Sequence, residues 1–180
     1  MPHKIRVALL GIGNASTSFA RGLDYYANER KKIGLWHKKI SGLQPSDIKI
    51  VAAFDIDPHK VDKDLNDIVQ RKNESHSGPE RERVRISAGL LADNHSGLFN
   101  RDKFVISSRT EFRKVLRDTK TNVVVNLISS GLNKTSREYA NLCLDSRIAF
   151  INATPTRIAS DRQFSKKFSS NHVINITIIL

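Results

Sequence analysis

One cysteine stands among the 180 residues, Cys143. That excludes an internal disulfide and any metal cluster built on cysteines, and no metal site is expected. In "REYANLCLDS" it follows Ala140 by three residues on the apolar face of a predicted helix, where it reads as a packing residue. Aromatic side chains are scarce at 7%. No segment interleaves them with Lys or Arg as a stacking platform for single-stranded nucleic acid would. No apolar run approaches the ~18 residues of a membrane span. The apolar part of "MPHKIRVALL" is too short for a secretory signal and runs straight into Gly11. Triplets such as Asn73-Glu-Ser carry no meaning without export, so the expectation is a cytoplasmic chain with no membrane partner. Acidic residues are also in deficit, 18 against 30 Lys plus Arg, for a formal charge of +12. Such an excess attracts anions such as nucleotides and sugar phosphates. It equally describes a plain solvated basic surface. The basic residues are spread along the whole chain, which makes nucleic acid the weaker partner.

What is present is an alternation. "IRVALLG" (5–11) is a continuous apolar run closed by glycine, the pattern of a strand buried on both faces. Residues 15–31 place Phe19, Leu23 and Tyr26 at helical spacing. "IKIVAAFD" (48–55) is a second buried strand. "PHKVDKDLNDIVQRK" (58–72) predicts a helix with Pro58 in its first turn and Val61, Leu65, Ile68 and Val69 on one face. "NESHSGPERER" (73–83) reads as a mobile charged loop. "VRISAGLL" and "KFVISS", within 84–109, are two short candidate strands. Thr110 is placed to cap the helix "EFRKVLRDT", and "NVVVNLISSG" is a strand ending on Gly131. The helix "KTSREYANLCLDSR" leads to the strand "IAFINATP". A last helix follows Ser160-Asp161, and "HVINITIIL" ends the chain as a strand. Strand alternating with helix predicts a single α/β domain over 1–180, with a doubly wound, mostly parallel sheet.

In such a sheet ligands sit at the carboxyl ends of the strands. Gly11 is placed to make the turn after the first strand. Gly13 lets a backbone approach phosphates without a clashing Cβ, and Ser16 takes the third small-residue position of a dinucleotide fingerprint. Glycines also make tight turns for other reasons, but the strand-turn-helix context favours a pyrophosphate and a Rossmann-type domain. The fingerprint wants an acid at the end of the second strand, and Asp55 fits, with Asp57 close behind. It lies about twice as far along as the usual ~20 residues, because an insert of roughly residues 24–47 intervenes. A carboxylate there accepts ribose hydroxyls and repels a 2′-phosphate, favouring NAD over NADP; the alternative is a residue that merely terminates the strand. Asn126, Ser129, Ser130, Asn152 and Thr154 lie at two further strand ends, as ligand-binding or as turn and capping residues.

Four stretches carry a family resemblance: "IRVALLGIGNASTSFARGLDYY", "GLWHKKISGLQPSDIKIVAAFDID", "VVVNLISSG" and "AFINATPTRIASD". Together they resemble the inositol-3-phosphate synthases (myo-inositol-1-phosphate synthases), in particular the shorter archaeal and bacterial branch, across roughly residues 5–170. The insert before Asp55 is part of the match. The resemblance implies a redox-neutral isomerase of inositol and phospholipid biosynthesis. In that reaction glucose 6-phosphate is oxidised by NAD, cyclised through an aldol step and reduced again. It implies a cofactor site at Gly11, Gly13, Asn14, Ala15, Ser16, Asp55 and Asn126, with Ser129, Ser130, Gly131 and Asn152 toward the nicotinamide.

Ser129 stands where the family usually has proline, and Arg157 where an aromatic is common. After "SSNHV" the family continues into Gly-Asp-Asp and Lys-Ser-Gln motifs, whereas this chain reads "INITIIL". The family's catalytic lysines lie beyond that point, so catalytic residues here are unknown. Lys134, Lys166 and Lys167 fall on predicted surface helices. The expectation is therefore a truncated, cofactor-binding half that is inactive by itself. Alternatives are a non-catalytic NAD-binding module in regulation or assembly, self-associating through its apolar C-terminal strand, and another NAD-dependent oxidoreductase. For the latter no His/Asp or Tyr/Lys pair stands out at a strand end.

Overall fold

The computed structural model describes residues 4–28, 33–70, 82–93 and 103–178. Six strands form one sheet: β1 (Ile5–Leu10), β2 (Ile48–Asp55), β3 (Ile86–Ala88), β4 (Val123–Asn126), β5 (Ala149–Asn152) and β6 (Asn175–Thr177). Their order is β3-β2-β1-β4-β5-β6, and every pairing is parallel. The helices are α1 (Asn14–Asn28), α2 (Leu65–Val69), α3 (Arg109–Asp118), α4 (Asn133–Asp145) and α5 (Arg162–Ser170). This is the doubly wound Rossmann-like architecture expected from the alternation.

The continuous apolar runs follow from burial on both faces. Along β1, Val7 and Leu9 join Ala20, Leu65, Val69 and Ile86 on one side, while Ala8 and Leu10 join the residues of α3, α4 and α5 on the other. That second layer centres on Phe54, Phe112 and Tyr139, with ring centroids 4.8 and 5.0 Å apart in sequence along the row. Each such ring contributes roughly 1.5–3 kcal/mol by leaving water. Cys143 packs here, fully buried, and burial pushes its thiol pKa up, so it is inert packing.

Three local expectations are corrected. The helix expected over 58–72 is reduced to α2. Asp62 adopts a left-handed φ of 70° and donates its N–H to Ile86 O, which breaks the helix and ties the segment to β3. Asp64, not Pro58, starts α2, its carboxylate accepting Asn66 N at 2.8 Å. The cap of α3 is Ser108 rather than Thr110: Ser108 Oγ accepts Glu111 N at 3.1 Å, and Glu111 Oε2 accepts Ser108 N at 3.2 Å. Thr110 looked right as a hydroxyl before an apolar run, but the reciprocal pair with Glu111 requires a residue three positions earlier. The "KFVISS" stretch gives only a bridge from Ile106 to Gly89. The expected loop over 73–81 lies outside the described residues.

The helices α3, α4 and α5 end in one repeated knot. Lys120, Arg147 and His172 take left-handed φ values of 49°, 55° and 56°. After each, the next amide reaches back five residues: Thr121 to Leu116 O, Ile148 to Cys143 O and Val173 to Phe168 O. These Schellman turns deliver the chain into β4, β5 and β6 at the lower rim, opposite the carboxyl ends of the strands.

Candidate functional site

At the carboxyl end of β1 the chain is clamped from both sides. Gly11 donates its N–H to Phe54 O at 2.8 Å, and Leu127 donates to Leu10 O at 2.9 Å. Gly11 has φ +78°, and a Cβ built on it would lie 2.8 Å from Ile128 Cα and 2.9 Å from Leu127 O. Only glycine fits between the ends of β2 and β4. The buried Ser16 hydroxyl donates back to Gly11 O, tying the first turn of α1 to the loop. A Cβ at Gly13 would meet nothing within 4 Å. No protein packing requires glycine there, so the space over its backbone is open to a ligand. Gly13, Asn14 and Ala15 are exposed, and among the described residues no side chain caps the amides that open α1. The first turn of a helix with free N–H groups suits an anion.

Asp55 ends β2 with its side chain only 10% exposed. Its Oδ2 accepts the amide of Ile12, between the two glycines, at 2.7 Å. Its Oδ1 accepts Ile56 N at 2.8 Å and Asp57 N at 2.9 Å. Lys60 Nζ stands 3.4 Å from Asp55 Oδ2 and 3.6 Å from Asp57 Oδ2. Asp57 is more open, its side chain 35% exposed, and Oδ1 accepts His59 N at 2.8 Å.

Across the switch point, Asn126 and Asn152 are register partners at the ends of β4 and β5, and both are fully buried. Asn152 Nδ2 donates to Thr154 O and Thr156 O at 3.0 and 2.8 Å, which fixes its oxygen toward Asn126. Asn126 Nδ2 therefore faces that oxygen, at 2.9 Å, and also reaches Ser136 Oγ at 3.1 Å. Among the described residues Asn126 Oδ1 is left buried with no hydrogen-bond partner, an acceptor open to a donor at the carboxyl end of the sheet. Ser129, Ser130 and Gly131 are exposed in the loop that follows. Gly131 takes φ +91° with nothing near a built Cβ.

The helix that this loop enters has its own plug. Asp93, buried, accepts Lys134 N, Thr135 N and Thr135 Oγ1 at 3.0, 2.8 and 2.7 Å. A carboxylate from the β3 side thus occupies the N-terminus of α4, which leaves the start of α1 as the open one of the two. The Tyr139 hydroxyl accepts Leu90 N at 2.6 Å beside it, and burial pushes its phenol pKa up. Asp93, Ser136, Tyr139 and Thr156 had no local signal in the sequence, because each acts on a distant backbone or side chain.

The predicted residues fall into three places. Gly11, Gly13, Asn14, Ala15 and Ser16 form the turn, with Asp55 against it. Asn126 and Asn152 form the amide ladder, with Thr154 joined to it through Asn152 Oδ1 at 2.9 Å. Ser129, Ser130 and Gly131 form the rim. Lys134, Lys166 and Lys167 are exposed on α4 and α5. An open Cβ direction at Gly13, an uncapped helix start and an orphaned buried acceptor together fit a dinucleotide laid across the switch point.

Known proteins similar in sequence include enzymes of the family that the four stretches resemble. The chain is 30% identical over 178 residues to inositol-3-phosphate synthase of Mycobacterium tuberculosis strain H37Rv, covering 94% of this chain and 48% of that protein. It is 33% identical over 175 residues to that of Corynebacterium glutamicum, covering 92% of this chain and 47% of that protein. The chain thus spans about half the length of the curated relatives it matches. Among solved structures, Ari2 superposes with a TM-score of 0.78 at 25% identity, over 96% of this chain and 53% of that one. A myo-inositol-1-phosphate synthase-related protein from Thermotoga maritima gives 0.69 at 21% identity, over 96% and 54%, and shares the fold. No protein-family model matches the chain.

Proposed function

We propose that this chain, an inositol-3-phosphate synthase-like domain by its homology to the N-terminal half of those enzymes, binds NAD. The pyrophosphate would lie against Gly11, Gly13, Asn14, Ala15 and Ser16, with the adenosine toward Asp55. The nicotinamide would lie toward Asn126, Ser129, Ser130, Gly131 and Asn152. The observation that carries this reading is the turn itself. Gly11 and Ile12 are held by the end of β2 and by the Ser16 hydroxyl, while Gly13 and the start of α1 face open space. When bound, NAD supplies hydride acceptance and return. The chain's own residues supply a preorganised anion cradle and a rigid amide ladder.

The relatives' names support a sugar phosphate as the substrate class, and a charge of +12 favours such an anion. The wider role proposed is inositol and phospholipid biosynthesis in the cytoplasm. Among the described residues no helix is long and apolar enough to cross a membrane. These 180 residues alone are proposed to bind without turnover. Enolisation needs a placed cation beside the developing oxyanion, and Lys134, Lys166 and Lys167 are solvated. A second reading, a non-catalytic module that self-associates, is favoured by the edge strand β6, in and beside which Ile174, Ile176 and Ile178 are 63%, 46% and 45% exposed.

The test is calorimetric titration of NAD and NADP into the folded protein, with Gly13→Asp as control. Binding of NAD, weaker for NADP and abolished in the control, supports the reading. A folded protein that takes up neither overturns it.

A further inference from the structure

The acid at the end of β2 is conventionally the ribose partner of a bound dinucleotide. Here that carboxylate is already committed. Asp55 accepts three backbone amides, from Ile12, Ile56 and Asp57, and Lys60 approaches the remaining face of Oδ2. A carboxylate has about four acceptor positions, so Asp55 has none in reserve. Asp57 is different. Its Oδ1 takes a single amide, its Oδ2 touches only Lys60 at 3.6 Å, and its side chain is 35% exposed where that of Asp55 is 10% exposed.

We infer that the two acids divide the work. Asp55 is a positioning residue that holds the Ile12 amide and hence the conformation of the glycine turn. Asp57 receives the ribose hydroxyls and excludes a 2′-phosphate. The inference rests on the proposed NAD site and assigns its cofactor specificity. Asp55→Asn would present an NH₂ group where either Ile12 N or the Ile56 and Asp57 amides now find an acceptor, so one pair of donors would face each other. The turn would loosen, and that loss is indifferent to the 2′ position of the nucleotide. Asp57→Asn leaves the turn intact and removes the negative charge. Lys60, still beside Asp55, and the neighbouring His59 would then meet a 2′-phosphate without the Asp57 charge.

Two measurements separate these roles. The first is amide hydrogen exchange on the folded protein without nucleotide. Asp55→Asn should speed exchange at Ile12 while leaving Leu9, in the preceding strand β1, protected, and Asp57→Asn should change neither. The second is affinity for NAD and NADP. Asp55→Asn should weaken both alike, by about 10- to 100-fold, as expected for a lost charged hydrogen bond. Asp57→Asn should shift the NADP:NAD preference by about tenfold or more. A changed preference in Asp55→Asn, an unchanged one in Asp57→Asn, or unaltered Ile12 exchange in Asp55→Asn overturns the division. If Asp55→Asn does not fold, the preference of Asp57→Asn decides alone. A folded wild-type protein that binds no NAD overturns the proposed function and the division with it, whereas normal wild-type binding with the wrong variant pattern overturns only the division.

Discussion

Gly11→Ala should damage the fold far more than its size suggests. The new methyl group would stand 2.8 Å from Ile128 Cα and 2.9 Å from Leu127 O. Both are backbone atoms, so no side chain can swing aside. Relief would require moving the exit of β4 away from β1, against the parallel register that pairs Leu10 with Asn126. The residue also sits at φ +78°, where a non-glycine residue costs about 1–2 kcal/mol, and overpacking of a tight interior adds about 1–3 kcal/mol. The sum is about 2–5 kcal/mol, a large part of the roughly 5–15 kcal/mol that holds a domain together. With a urea m-value of about 2 kcal/mol/M, the midpoint should fall by about 1–2.5 M. Gly13→Ala is the matched control. Its methyl group meets nothing within 4 Å, so its unfolding free energy should stay within about 0.5 kcal/mol of wild type, a midpoint shift of no more than about 0.25 M. Equilibrium urea unfolding followed by far-UV circular dichroism reads both. An unchanged midpoint for Gly11→Ala, or an equal loss in the two variants, would refute the assignment of Gly11 to packing and Gly13 to the open side.

Other outcomes follow from the same contacts. Asp93→Ala strips three acceptor contacts from the start of α4 and should cost about 2–3 kcal/mol in urea unfolding. Asn126→Asp sets a carboxylate oxygen against Asn152 Oδ1 in full burial and should cost about 2–4 kcal/mol by the same assay. Glu111 is held below its ordinary pKa of 4.5 by the Ser108 amide and then the Ser107 and Ser108 hydroxyls. Asp161 is held below 3.8 by the Phe164 amide and then Arg137. Since both folded values are depressed, their capping contributions are fully present above the ordinary carboxylate range. They are lost as pH falls through the lowered values. Glu111→Gln and Asp161→Asn should therefore flatten the acid limb of a stability-versus-pH curve below about pH 4.5 and leave its neutral shape intact. Ile174→Asp with Ile176→Asp should abolish any self-association seen by sedimentation velocity, and a wild type that stays monomeric at high concentration sinks the β6 interface.

Much of the architecture was legible because burial on both faces leaves continuous runs such as "IRVALL" and "IKIVAAFD", and because the glycine turn sits between such a run and a helix. The ends of the apolar runs also pointed to Asn126 and Asn152, as ligand-binding or as turn and capping residues, and the family stretches included both. What sequence pattern missed depends on partners far along the chain. The helix expected at 58–72 had correct apolar spacing at Val61, Leu65, Ile68 and Val69, but Asp62 N is claimed by Ile86 O, and a strand won over the helix. Asp93 lies 42 residues from Thr135 in sequence and 2.8 Å from its amide in space, so no local motif announces it. Asp55 was legible as an acid at the right strand end. That it grips the glycine turn 43 residues away was not.

The three knotted turns at Lys120, Arg147 and His172 make the lower rim a place where stability can be tuned independently of chemistry. Each holds a side chain in a conformation that glycine adopts freely, at about 1–2 kcal/mol, and glycine's larger freedom in the unfolded chain returns about 0.5–1 kcal/mol of that. The strand β4 alone spans four residues, or roughly 13 Å, beyond the ~7–10 Å over which mutational effects cease to interact. Glycine at the three turns should therefore give small gains in unfolding free energy that never appear in a ligand titration. The domain has two rims that share a sheet, one open beside Gly13 and the other set by how firmly the chain turns.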